Sequence, residues 1–273
     1  MHALEKILAE ASGQSEVSSG NIITADIDFV EINDLYLQVI KSFYDMNGGG
    51  VSFVFDHYSP SPTIKAADNH KKMREFCKEQ NINHLFDINE GICHQVLPEA
   101  GLVYPGMILV ATDSHTTTHG AFGAFGTGVG ATDMATILIS GHLWFKVPEI
   151  IKIEINGDLK SEVMAKDIIL HIIGNLGQSA AVYKAIEFSG EVVEKLDIDE
   201  RMVLCNMTVE MGAKTSYIQP DNKTLNYIEP RAKKDLTLYN TDKNYDYSAI
   251  YQYDISELEP VAAKPHSVDN VDR

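Results

Sequence analysis

The residues best suited to chemistry lie where two apolar runs end. Met107 to Ala111 runs into Thr112-Asp113-Ser114-His115, and Val51 to Phe55 runs into Asp56-His57. A carboxylate beside an imidazole fixes its tautomer and raises its basicity, which suits proton transfer near neutral pH. Two such pairs at two run ends point to one polar pocket for proton transfer or an oxygen-rich ligand. A glycine-rich segment follows the first pair, from Gly120 through Gly123, Gly126 and Gly128 to Gly130. It lacks the glycine order and the Gly-Lys-Ser/Thr of phosphate-binding loops, so close packing of strand on helix is the better reading.

Buried parallel strands deliver polar groups in this way to the carboxyl edge of a sheet. The rest of the pattern agrees with that placement. Asn21 to Ile32 reads as a strand, and Leu35 to Phe43 as a helix broken at Asn47-Gly48-Gly49-Gly50. Ser61 to Gln80 reads as a helix, Leu85-Phe86-Asp87 as a short strand, and Thr132 to Leu143 as a helix. After a boundary near Val147 the alternation restarts. Ile150 to Asn156 and Val182 to Phe188 read as strands, Lys166 to Ile173 and Asp199 to Met211 as helices, and the tail from Leu236 as an extended surface segment. Alternating strands and helices predict an α/β protein with mainly parallel sheets, in two domains over residues 1–147 and 148–273.

Composition narrows the class. A hydrophobic content of 44% and a charged content of 22% over 273 residues describe a globular protein with sizeable cores. The balance of 22 Lys+Arg against 39 Asp+Glu, a net charge of -17, argues against a nucleic-acid partner. Any anion site must then rely on local donors. No apolar run reaches the ~20 residues that span a bilayer, and the N-terminus does not read as a signal peptide. Cys77, Cys93 and Cys205 lack paired spacing and read as reduced thiols of a cytoplasmic protein.

Several segments carry a resemblance. Gly91-Ile92-Cys93-His94-Gln95-Val96, Asp113-Ser114-His115-Thr116 and Cys205 through Ala213 resemble the aconitase superfamily, in that order and spacing. Phe55-Asp56-His57, Pro62-Thr63-Ile64-Lys65, Gly128 through Ala135, Leu258-Glu259-Pro260 and Pro265-His266 are similar to the 3-isopropylmalate dehydratase large-subunit branch. Homoaconitase and dimethylmalate dehydratase large subunits are close to that branch. The resemblance implies a hydro-lyase that dehydrates and rehydrates a 2-hydroxy dicarboxylate, in the first instance the isopropylmalate isomerisation of leucine biosynthesis. It implies catalytic roles for Asp56, His57, His94, Asp113, His115 and Glu210, and substrate contacts for Asp34, Ser114 and Asn206. It also implies a small-subunit partner carrying a swivelling domain. Asn206 and Glu210 stand four apart, on one face of the expected helix.

The family's [4Fe-4S] cluster is held by three cysteines, one in a Ser-Cys-Thr-Asn segment and two in a later CxxC. Neither segment occurs here, so no metal ligand is assigned, and a separate cysteine-bearing domain is a further expected partner. The family's first polar motif stands altered as Asn33-Asp34-Leu35-Tyr36. A cluster-less binding or interaction subunit is therefore the alternative to an enzyme. Without the resemblance, Asp56 reads as readily as a turn cap and His94 as a core histidine. His119, His142 and His171 read as surface or packing residues.

Overall fold

The computed structural model describes residues 1–35, 37, 39, 50–232 and 236–272. After helix α1 (Ala3–Ala11), strands β1 (Ile22–Asp26) and β2 (Phe29–Asn33) replace the single strand expected over Asn21 to Ile32. Their roles differ. β2 is buried along its whole length, whereas β1 alternates exposed and buried residues. β1 pairs antiparallel with β7 (His142–Lys146) in a two-stranded ribbon.

The first sheet contains β2, β3 (Val51–Val54), β4 (His84–Phe86), β5 (Ile108–Ala111) and β6 (Phe125–Gly128), in the order β4-β3-β2-β5-β6. Every pairing in it is parallel. β2, β3 and β5 are buried on both faces, as their continuous apolar runs require. The chain steps outward from β2 through β3 to β4, then returns to the other side of β2 for β5 and β6. The order thus reverses between β2 and β5, and crevices for ligands open at the carboxyl ends of strands at such a switch point. Asp34, Asp56, Asp113 and Gly128 all stand at that edge. Between the strands run α2 (Ile64–Glu79), capped by the Thr63 hydroxyl, and α3 (Cys93–Glu99). Helix α4 (Ala131–Ser140) follows β6.

The second sheet, in the order β10-β9-β8-β11, is also wholly parallel. Its strands are β8 (Ile150–Asn156), β9 (Ala185–Ser189), β10 (Thr215–Ile218) and β11 (Ala249–Asp254). Helices α5 (Ala165–Leu176), α6 (Glu191–Lys195), α7 (Ile198–Asn206) and α8 (Asn222–Ile228) accompany it. The two sheets meet through 3-10 turns over Ser114–Phe122. There Thr117 donates to the Cys205 carbonyl at 3.0 Å, and Ser216 donates to the Thr117 carbonyl at 2.7 Å. Gly120 makes the approach possible, because a Cβ there would sit 2.2 Å from the Ser216 carbonyl oxygen.

Further expectations change. The helix expected over Thr132 to Leu143 stops at Ser140, where Gly141 adopts a left-handed φ of 77° and the chain turns into β7. The helix expected over Asp199 to Met211 ends at Asn206, and Met207–Met211 tightens into a 3-10 turn. Asn206 and Glu210 therefore do not share one α-helical face. The tail supplies β11, a strand pairing along the full length of β8, rather than a surface segment alone. Most of the helix expected over Leu35 to Phe43, Tyr36 of the altered motif, and the break at Asn47-Gly48-Gly49 lie outside the described residues.

Candidate active site

Asp113 sits at the centre. It follows β5, and its carboxylate accepts the His115 backbone N–H at 2.7 Å, fixing the start of the 3-10 turns. Its Oδ1 lies 3.0 Å from His94 Nε2 and its Oδ2 3.2 Å from His57 Nε2. The other ring nitrogen of His57, Nδ1, lies 2.7 Å from Asp56 Oδ1. Asp56 Oδ2 accepts the Cys93 backbone N–H at 2.8 Å, so the start of α3 is tied to the end of β3. Four of the expected residues thus form one hydrogen-bonded chain: Asp56, His57, Asp113 and His94. His115 completes the edge, with Nδ1 3.1 Å from Ser114 Oγ and Nε2 3.4 Å from Glu210 Oε1.

Burial and charge act against each other here. His57 bridges two carboxylates, and its hydrogen bonds to Asp113 and Asp56 outweigh desolvation, raising its pKa to about 10. Burial alone would push Asp113 up, but hydrogen bonds from His57 and His94 hold it far below the usual carboxylate range. Asp56 is likewise lowered overall, with burial opposed by His57 and the Cys93 N–H. At neutral pH the chain therefore contains an imidazolium between two carboxylates. Such a group can give a proton to a departing hydroxide, a far stronger base than imidazole.

Asp34 and Asn206, both expected at the substrate, are placed to hold other groups. Asp34 is fully buried and accepts the His57 N–H at 3.2 Å, the Tyr58 N–H at 2.9 Å and His70 Nε2 at 2.8 Å. It fixes the His57 loop, and the His70 ring that holds it stacks on Phe55 at 4.4 Å. The Asn206 amide donates to Thr118 Oγ1 at 2.9 Å, pinning the 3-10 turns to α7.

Two buried groups beside the chain carry no signal in the sequence. His119 is 1% exposed, not a surface residue, with its ring 5.8 Å from that of His94. Burial and the neighbouring His94 lower its pKa to about 3, and its Nδ1 has no hydrogen-bond partner among the described residues. Glu31 lies one residue pair below the edge, beside Ser52 on β3 and Ala111 on β5. It is fully buried, and neither carboxylate oxygen has a hydrogen-bond partner among the described residues. Burial, and then the charges of Asp56 and Asp113, raise its pKa well above the ordinary value, so it is held protonated. A raised acid pKa favours the fold at low pH, and that contribution fades as pH rises toward the folded value. Glu31→Leu should therefore stabilise the chain by about 1–3 kcal/mol, with the gain growing toward high pH. Urea melts at two pH values check this, and a destabilised variant would mean that Glu31 has a polar partner.

The sequence profile of the aconitase family (aconitate hydratase) matches residues 51–272. This chain belongs to the aconitase family. A probable 3-isopropylmalate dehydratase large subunit of Methanothermobacter thermautotrophicus is 47% identical, covering 99% of this chain and 66% of that protein. A probable methanogen homoaconitase large subunit of the same organism is 45% identical, with 99% and 66% covered. The 3-isopropylmalate dehydratase large subunit 1 of Pyrococcus furiosus is also 45% identical, with the same coverage. This aconitase-family chain thus spans 66% of the length of these relatives.

The family carries a [4Fe-4S] cluster, a group that thiolates hold. The cysteines of this aconitase-family chain do not fit it. All three are buried and free, and burial pushes Cys77 and Cys205 up to about 12. Cys93 is raised further, chiefly by burial and then by the neighbouring carboxylates Asp56 and Asp113. Buried thiols of this kind stay protonated. Among the described residues, Cys93 is the only cysteine in a side-chain group compact enough to hold a metal. That group, Cys93–His94–Asp113, and a second, Asp34–Asp56–His57, bring donor atoms within 4.8 Å of one another. Their histidines and carboxylates are engaged with each other in the hydrogen bonds above.

Proposed function

We propose that this chain is the acid–base portion of a hydro-lyase large subunit that interconverts 2-hydroxy dicarboxylates by loss and return of water. The observation that carries the reading is the Asp56–His57–Asp113–His94 chain at the switch point of the first sheet. His57 donates to the departing hydroxyl, and Asp56 and Asp113 orient it. Asp113 also orients His94, and Glu210 orients His115. Ser114 reaches the substrate. Asp34 and Asn206 hold the elements that present these groups. The buried, protonated cysteines present do not suit a cluster.

The substrate we favour is 3-isopropylmalate, as the names of the relatives suggest, with homoaconitase and dimethylmalate dehydratase chemistry as alternatives. The partner is a small subunit, with a cysteine-bearing domain supplied by further polypeptide. No helix among the described residues is long and apolar enough to cross a membrane, and a cytoplasmic location suits the free thiols. The test is to supply 3-isopropylmalate to the complete assembly containing this chain and follow 2-isopropylmalate by proton NMR. Interconversion is expected. The buried, protonated cysteines favour a second reading, a cluster-less subunit that binds hydroxy acids without turning them over. Binding without conversion would select it.

A further inference from the structure

We infer that the cavity beside the His57–Asp113 pair contains a carboxylate subsite in which the Lys214 ammonium receives the end of the ligand farther from His57. This deepens the hydro-lyase reading and rests on it for the choice of a dicarboxylate. The cavity, about 490 Å3, opens at the carboxyl edge of the first sheet. His57, Asp113 and Ser114 line it, and so do Gly128, Gly130 and Lys214. Lys214 reaches it from just before β10, where Thr127 of β6 donates to its carbonyl at 2.8 Å. The position is therefore held by both sheets.

Lys214 differs from the other buried or partly buried cations. The acid excess leaves many of them paired, as Arg74 is with Asp87, Lys152 with Glu154, Lys184 with Glu149 and Arg201 with Asp221. Lys214 has no side-chain hydrogen bond or ion pair among the described residues. Its ammonium lies over the rings of Phe145, at 6.0 Å, and Tyr183, at 5.8 Å. Aromatic faces hold a cation without neutralising it. Burial lowers the Lys214 pKa, and the charge of Asp133 acts in the opposite direction. A partly desolvated cation without a counter-ion is an unfavourable arrangement that an entering anion relieves.

The surroundings suit a carboxylate. Helix α4 begins at Gly130 with no side chain capping it, so its first N–H groups remain open beside the cavity. Asp133, in its first turn, opposes an anion there, but it is exposed to solvent and screened. At the other end stands the His57 imidazolium. The Lys214 cation, together with the Asp113-paired His57 and the Ser114 hydroxyl that line the same cavity, suits a ligand with a carboxylate and a hydroxyl. A monocarboxylate can satisfy only one end.

The test is isothermal titration of the chain with 3-isopropylmalate, malate, inorganic phosphate and, as a monocarboxylate, isovalerate. Lys214→Met should weaken the dicarboxylates at least about tenfold, because a charge-assisted contact is lost. Lys214→Arg should stay within about threefold, and isovalerate, whose one carboxylate also meets Lys214, should weaken in Lys214→Met as the dicarboxylates do. Thermal melts should show Lys214→Met folded and no less stable, because it removes an uncompensated charge. Unchanged dicarboxylate affinity in Lys214→Met overturns the subsite, as does the absence of binding by all four probes in the wild type. Binding of malate or phosphate that depends on Lys214, without binding of 3-isopropylmalate, would keep the subsite and remove the isopropylmalate reading.

Discussion

Asp113→Asn in the complete assembly should lower turnover of 3-isopropylmalate about 10³-fold, within the 10²–10⁴ span of a positioned proton-transfer group. Asparagine keeps the shape, and its amide oxygen can still accept the His115 backbone N–H at 2.7 Å. The charge cannot. His57 would keep only Asp56, and its pKa would fall from about 10 toward the ordinary 6.5. His94 would lose its carboxylate as well. Because one substitution disconnects two imidazoles, its effect should nearly equal that of the Asp113→Asn/His57→Gln pair. Steady-state rates of Asp113→Asn, His57→Gln and the double variant check this. A loss of less than about tenfold for Asp113→Asn would remove Asp113 from the centre of the site.

Asp221→Ala should destabilise the chain by about 3 kcal/mol, lowering the melting temperature by roughly 6–12 °C. Arg201 on α7 is among the largest fully buried side chains, at 1% exposure. Asp221 meets it with two oxygens, at 2.9 and 2.6 Å, and also caps α8 by accepting the Thr224 N–H at 3.0 Å. Removing the carboxylate leaves a buried guanidinium without a counter-ion and a helix without its cap. The expected figure lies at the low end for a broken buried pair because the Asp221 side chain is about a third exposed. The double variant Arg201→Met/Asp221→Ala should recover part of the loss. Calorimetry on the three proteins decides it, and a shift under about 2 °C would show that the guanidinium finds water or another acceptor.

The first sheet was legible because central parallel strands are apolar along their length and stop abruptly where polar work begins. Val51 to Phe55 and Met107 to Ala111 have that form, so Asp56, His57 and Asp113 stood out. Glu31 did not, because an acid inside a strand reads as a solvent-facing position, and only the fold shows both faces of β2 covered. Lys214 was equally silent. Its significance comes from the absence of a counter-ion among the described residues, which only the fold shows. The tail strand was missed because β11 is an edge strand with alternating exposure, so its tyrosines and polar residues read as surface. The 3-10 turn at Met207–Met211 reads as helix in the sequence because Gly212, with its left-handed φ of 80°, closes that turn, whereas α7 ends at Asn206 with no glycine or proline to mark it.

The central claim is that His57 is an imidazolium held between Asp56 and Asp113, and nitrogen-15 NMR titration of that ring tests it most directly. Spectra of the labelled chain from pH 5 to pH 11, with His57 assigned through a His57→Gln variant, would follow both ring nitrogens. The ring should stay protonated through neutrality and titrate near pH 10. The stability it lends should be full below about 6.5 and fade as pH rises through 10. A midpoint close to 6.5, with one nitrogen already deprotonated at pH 8, would contradict the shared proton-transfer site.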